Sequence, residues 1–197
     1  MSEQPEQEEV QEVPQDSKDT LNYFQYLIQT IKKPDDFLGE DDKGYQLFGI
    51  INMVLLLFLI IFSFFIQRIV LFTGSGWFAR GFLDSIKLGI SYAIPLALVV
   101  VLMNWYANKN GSKRNVAYFF ERLGALLTLP CILLVLSIPL NLLEITLHTW
   151  FRTISYSFIY IAIFMICYLF VSPKNLKVAS VFLLGFYFTY RLIYYIL

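Results

Sequence analysis

The sequence predicts an all-α fold, a polytopic transmembrane helical bundle of five spans, and three observations carry that prediction. The 197 residues are 57% hydrophobic and only 15% charged, against about 25% charged in an ordinary soluble domain. Mean hydropathy is +0.60. Five apolar runs each approach the roughly 20 residues that a helix needs to cross about 30 Å of hydrocarbon. Helices are the required form, because in lipid every backbone donor and acceptor must be satisfied within the segment. The runs also lack the ten-residue alternation of a membrane β-barrel.

Charge divides the chain in two. The first 46 positions hold 12 acidic and 4 basic residues, a net of −8, and the remainder holds 3 acidic and 11 basic residues, a net of +8. Residues 1–18 are rich in Glu and Gln, with two prolines and few large apolar groups. Such a composition cannot offset the entropy of ordering and predicts a disordered acidic tail. The opening lacks the basic stretch and apolar core of a secretory signal, so the tail is expected in the mature protein. Residues 19–46 predict a short cytoplasmic amphipathic helix and linker. Asp19 can cap the helix, Leu21, Phe24, Leu27, Ile28 and Ile31 recur at helical spacing, and Lys32-Lys33 close it before Pro34. Its apolar stripe is expected to rest in the headgroup region or dock on the membrane body. Phe24, Ile28, Lys32 and Lys33 are the candidate partner-binding residues.

The five-span domain covers 47–197. Its spans are Leu47 to Ile66, Leu88 to Tyr106, Leu123 to Leu143, Ile154 to Val171 and Val178 to Leu197, and only the last contains a charge, Arg191. Between the first two, Trp77, Phe78, Phe82 and Ile86 lie largely on one helical face, with Arg80, Asp84 and Lys87 left for water. That pattern predicts an in-plane interfacial segment after a flexible Thr73-Gly74-Ser75-Gly76 turn. Asn108-Lys109-Asn110-Gly111 predicts a second turn, leading into an amphipathic stretch that sets Val116, Phe119, Phe120 and Leu123 against Glu121 and Arg122. Ser172 to Lys177 is a tight turn containing proline, which makes the last two spans antiparallel neighbours. On alternate sides of five spans, Lys and Arg number ten on the N-terminal side and four on the other. Positive charge is retained inside, so the N-terminus is expected to be cytoplasmic and the C-terminus extracytoplasmic.

Polar residues within spans are costly and carry the functional hypotheses. The intramembrane candidates are Arg191, Asn52, Asn104 and Asn141. Arg191 lies six residues from the end, where it can snorkel to the headgroups. The asparagines can hydrogen-bond between helices. Pro95, Pro130 and Pro139 are expected to kink the second and third spans. Asn141, Glu144 and His148, at spacings of three and four, fall on one face of the third helix as it leaves the membrane. Glu144 and His148 then form a candidate interfacial, proton-responsive pair. An unduplicated pair with the chain's one histidine is a poor metal site. Cys131 and Cys167 lie in apolar runs and read as buried small hydrophobes. Ser75 in its flexible linker has no group to position it as a nucleophile. With no phosphate-binding loop and no basic patch, nucleotide hydrolysis and nucleic-acid binding lack support. No cofactor and no catalytic residue are expected.

A short helix of the form Tyr23-Phe24-x-Tyr26 through Ile31-Lys32-Lys33-Pro34, followed by five closely spaced spans, resembles the Yip-type five-span membrane proteins. The segment Phe120-Glu121-Arg122-Leu123-Gly124-Ala125-Leu126-Leu127-Thr128-Leu129-Pro130 adds to the likeness. Within that group the chain looks most like small uncharacterised bacterial members. Many of those place a Cys-rich zinc ribbon ahead of the first helix, where this chain carries its acidic tail. The resemblance implies a non-enzymatic protein of the cell membrane that associates with or organises lipids or membrane partners. The expected partners are the lipid bilayer and other membrane proteins or further copies of the chain. The alternative is a small permease or an accessory subunit of a transporter, with Pro95, Pro130, Pro139, Asn104 and Asn141 lining a polar path.

Overall fold

Long apolar runs without interior charge give helices that extend beyond the spans read from the sequence. The structure, a computed structural model, describes residues 21–39, 44–71, 77–112 and 114–197. The acidic stretch 1–18, Asp19 and the Thr73–Gly76 turn lie outside them. Among the described residues, seven α-helices follow in order: α1 (Tyr23–Lys32), α2 (Gln46–Leu71), α3 (Trp77–Lys109), α4 (Val116–Leu126), α5 (Thr128–Leu142), α6 (Leu147–Ile166) and α7 (Leu176–Ile196). A 3₁₀ turn at Pro34–Phe37 follows α1, and a π turn at Cys167–Val171 closes α6. Among the described residues there is no strand.

Helices α2, α3, α6 and α7 are each long and apolar enough to cross a membrane, and α4 with α5 makes a fifth when taken as one span bent by 40°. The bend has a chemical cause. Pro130 sits in the first turn of α5, and its ring both removes an N–H and crowds the carbonyl four residues earlier, at Leu126. The helix therefore breaks at Leu127. With 15 residues, α5 alone reaches only about 22 Å, short of the hydrocarbon thickness.

The helices pack in a continuous relay. α2 lies against α3 on one side and against α4 and α5 on the other, α6 covers α5, and α7 rests on α3 and α6. Ser63 and Ser137 hydrogen-bond across the α2–α5 contact at 3.2 Å, and Ser155 of α6 donates to the Pro130 carbonyl at 2.9 Å. The core between them is apolar, with Leu56, Ile60, Leu96, Met103, Leu134 and Ile163 fully enclosed. Of α7 only Ala179 and Phe186 are buried, so this helix is the peripheral span.

Three sequence expectations change. The segment from Trp77 to Lys87 is not a separate in-plane element, because it forms the first turns of a continuous 33-residue α3. There Asp84 pairs with Arg68 of α2 at 3.6 Å, extending the α2–α3 hairpin. Glu121 and Arg122 do not face water, since both are buried in α4. Finally, α5 stops at Leu142, Glu144 takes a left-handed conformation (φ 56°), and His148 belongs to α6. The continuous helical face expected to align Asn141, Glu144 and His148 is thus interrupted. The Ser172–Lys177 turn is tight as expected, with Lys174 left-handed (φ 61°) and Asn175 capping α7 through the Val178 N–H.

Candidate functional site

The densest polar constellation is built where α1 meets the bundle. α1 starts with a capping box, which satisfies two helix-end donors reciprocally. The Asn22 side chain accepts from the Gln25 N–H at 2.9 Å, and the Gln25 side chain accepts from the Asn22 N–H at 3.0 Å. Asn22, rather than Asp19, therefore sets the start of the described helix. The docking face is largely aromatic, with Leu21 and Leu27 packed beside the rings. Tyr26 and Thr30 are its buried residues, and the Tyr26 ring meets Phe37 edge-on at 5.2 Å, with Phe48 at 5.3 Å and Tyr45 at 5.8 Å. Aromatic contacts of this kind add about 0.5–1.5 kcal/mol each beyond area burial.

About one turn before Tyr26, Tyr23 reaches into the bundle and donates to Asn52 Oδ1 at 2.6 Å. Asn52 is fully buried. Its Nδ2 donates to the Gly124 carbonyl at 3.0 Å and to Thr128 Oγ1 at 2.8 Å. Its own carbonyl lies 3.6 Å from the Cys131 thiol, which donates to it. A single amide thus ties α1, α2, α4 and α5 together beside the Leu127 break. Close approach makes this possible: a Cβ added at Gly49 would fall on the Phe120 carbonyl, and one added at Gly124 would fall on the Gly49 backbone. Small residues let membrane helices touch backbone to backbone.

The same end holds a buried ion pair. Arg122 Nη1 donates to Glu121 Oε1 at 2.6 Å, with the side chains 0% and 1% exposed. The Tyr45 N–H donates to Glu121 Oε2 at 3.1 Å, and the Arg122 guanidinium lies 4.7 Å from the Tyr118 ring centre. Desolvating two charges costs several kcal/mol per ion unless close pairing and further hydrogen bonds offset it. Burial raises the Tyr26 hydroxyl well above its ordinary pKa, and the Glu121 charge adds to that shift. Tyr23 is raised in the same direction, again mainly by burial. The Tyr26 hydroxyl finds no hydrogen-bond partner among the described residues.

The opposite side of α1 is left uncovered. Phe24 is 75% exposed and Ile28 and Ile31 about half exposed, with Lys32 and Lys33 also open. All four candidate partner-binding residues, Phe24, Ile28, Lys32 and Lys33, are therefore accessible on a helix fixed by its other face.

The remaining candidates are dispersed. Asn104 accepts from Asn108 one turn later on its own helix, at 3.2 Å, rather than bridging helices. Asn141 is buried near the end of α5. Arg191 is exposed on α7, its guanidinium 6.0 Å from the ring centre of Tyr187 one turn before it. His148 Nδ1 is 2.8 Å from the Ile145 carbonyl. Cys131 and Cys167 are both buried thiols. Among the described residues, no three His, Cys, Asp or Glu side chains gather as a metal site.

Tyr23, Tyr26, Gly124 and Thr128 entered the sequence reading only within the family likeness, with no bonding role, and Gly49 not at all. That reading also passed over an aromatic cluster at the far end, where Tyr92 of α3 lies 4.5 Å from Tyr190 of α7 and 5.5 Å from Tyr156 of α6, ring centre to ring centre. The available signals were a glycine near the start of each of two spans and a neutral Glu-Arg dipeptide enclosed by apolar residues. No family model, curated protein or solved structure matches the chain.

Proposed function

We propose that this chain is a non-enzymatic five-span protein of the cell membrane that organises lipids or membrane partners through the exposed face of α1. The observation that carries the reading is the two-sidedness of that helix. One face is locked to the bundle through Tyr23, Tyr26 and Thr30, while Phe24, Ile28, Lys32 and Lys33 are open. An apolar stripe beside paired lysines suits a bilayer surface or a partner already resident there. The polar groups at the helix crossing are engaged with one another: Tyr23, Thr128 and the Cys131 thiol all bond to Asn52. That is the work of scaffolding. The Yip-type likeness supports the same reading and favours a bacterial plasma membrane. The excess of Lys and Arg on the N-terminal side supports a cytoplasmic α1. A permease would need a polar path, and the groove beneath α1 and the one between α3 and α7 are both lined mainly by apolar residues.

The test is a photo-crosslinking amino acid placed at Phe24 or Ile28 of the full chain in intact membranes. Discrete adducts to a protein or lipid, absent when the same group replaces exposed Phe188 on α7, are expected. Adducts no different from those at Phe188 would remove α1 as the recognition element.

A further inference from the structure

Where the chain passes from α3 to α4, a guanidinium is held in place without a counter-charge. The Arg114 N–H donates to Asn108 Oδ1 at 2.8 Å, and Asn108 donates to Asn104 Oδ1 at 3.2 Å, so the backbone at Arg114 is tied to the end of α3. The guanidinium carbon lies over the Tyr118 ring of α4, 4.3 Å from its centre, and 5.7 Å from the centre of Phe170 in the π turn that closes α6. Tyr118 and Phe170 meet edge-on at 5.6 Å, which joins the two rings into one wall. Three elements therefore position this cation.

Among the described residues no carboxylate pairs with Arg114, and its buried Nη1 has no hydrogen-bond acceptor. The contrast with Arg122 is direct: that guanidinium lies 4.7 Å from the centre of the same ring, yet Glu121 neutralises it at 2.6 Å. The Tyr118 hydroxyl is likewise buried without a partner, on a residue only 5% exposed. α4 begins two residues after Arg114 with no acidic side chain in its first turn, so the positive end of its dipole adds to the same field. Arg114 itself is partly exposed, which leaves a ligand a way in.

Aromatic rings attract the face of a guanidinium and leave its N–H donors, which lie in its plane, for hydrogen bonds. That planar fork suits an anion with two or more oxygens, phosphate and carboxylate above all. The surroundings select the source. Trp105, 58% exposed near the end of α3, has the Lys109 ammonium 5.2 Å from its ring centre, an arrangement suited to a helix end at a membrane–water boundary. An anion that reaches Arg114 is there at the level of phospholipid headgroups. With no carboxylate paired to Arg114 that could also receive the ammonium of a zwitterionic headgroup, a net anionic one is favoured. We propose that Arg114, with the Tyr118 hydroxyl, binds the phosphate of an anionic phospholipid on the side of the membrane that carries α1. None of these residues belongs to α1, so the site stands whether or not α1 recognises a partner.

The test titrates the full chain, purified in neutral detergent, with phosphatidylglycerol, phosphatidylcholine and inorganic phosphate, and counts bound lipid by native mass spectrometry. One phosphatidylglycerol should be held several-fold more tightly than further copies or than phosphatidylcholine, and inorganic phosphate at the same concentration should not displace it. Arg114→Gln should lose that tight site, and Arg114→Lys should weaken it several-fold, because an ammonium lacks the planar fork. Tyr118→Phe keeps the ring and should also weaken binding, so it reads the site even if Arg114→Gln fails to fold. Arg191→Gln, an equal change of charge on exposed α7, should leave the tight site in place. Equal losses in Arg114→Gln and Arg191→Gln would show diffuse surface charge and overturn the proposal. Displacement by inorganic phosphate would overturn it by showing a site for soluble anions. A tight site that appears only after deletion of residues 1–18 would overturn it too, by showing that a carboxylate of the acidic stretch occupies Arg114.

Discussion

At the scale of single residues, Asn52 has the most to lose. Replacing it by Leu leaves the Tyr23 hydroxyl, the Gly124 carbonyl and the Thr128 hydroxyl without the partner seen at 2.6, 3.0 and 2.8 Å. Stranding buried polar groups costs about 1–3 kcal/mol, so Asn52→Leu should lower stability by that amount in detergent unfolding. Tyr23→Phe should cost about 1 kcal/mol alone, and little in the Asn52→Leu background, because the two share one bond. Tyr26 supplies a pH signature. Its folded pKa is raised above the ordinary value of 10.0, so the folded state holds its proton more tightly than the unfolded state. The stability this gives is complete below about pH 10 and falls as pH rises through the window above it. Docking of α1, followed by protease access, should loosen there in the wild type and less so in Tyr26→Phe. Asn52 was legible in the sequence as an interhelical donor. Its partners were not, since a backbone carbonyl and a threonine from another helix become neighbours only through the crossing.

Among the elements, the α2–α4 crossing and the underside of α1 depended most on tertiary context. Gly49 and Gly124 touch backbone to backbone, so Gly124→Val should destabilise by about 1–3 kcal/mol through overpacking. Gly185 on α7 has nothing within 4 Å, and Gly185→Val should leave thermal stability unchanged. If both variants behave alike, the crossing is looser than described. Hydropathy showed that α1 is amphipathic, yet Phe24, Ile28 and Ile31 turned out to face outward. Tyr26 and Tyr23 took the docking face because a tyrosine brings both a ring to bury and a hydroxyl that can reach a buried amide. Glu121 and Arg122 misled for a related reason. Charges predict solvent when considered singly, whereas an adjacent pair can neutralise itself and enter the core together. The kink at Pro130, by contrast, followed directly from its missing N–H.

For the whole molecule, apolar run length and the absence of interior charge were enough to define the bundle, because the bilayer imposes helices of a set length. The ends of the helices were harder to read, since α3 continues as regular helix well beyond the hydrocarbon requirement. The proposed placement of α1 on the cytoplasmic side depends on α4 and α5 acting as one bent span. The two native cysteines are buried, so a membrane-impermeant thiol reagent can read single exposed cysteines introduced by Asn115→Cys, just before α4, and Glu144→Cys, just after α5. In intact cells Glu144→Cys should react at once, while Asn115→Cys should react only after permeabilisation. Reaction of both under the same condition would make α4 and α5 a re-entrant hairpin, leave four spans, and contradict the five-span topology.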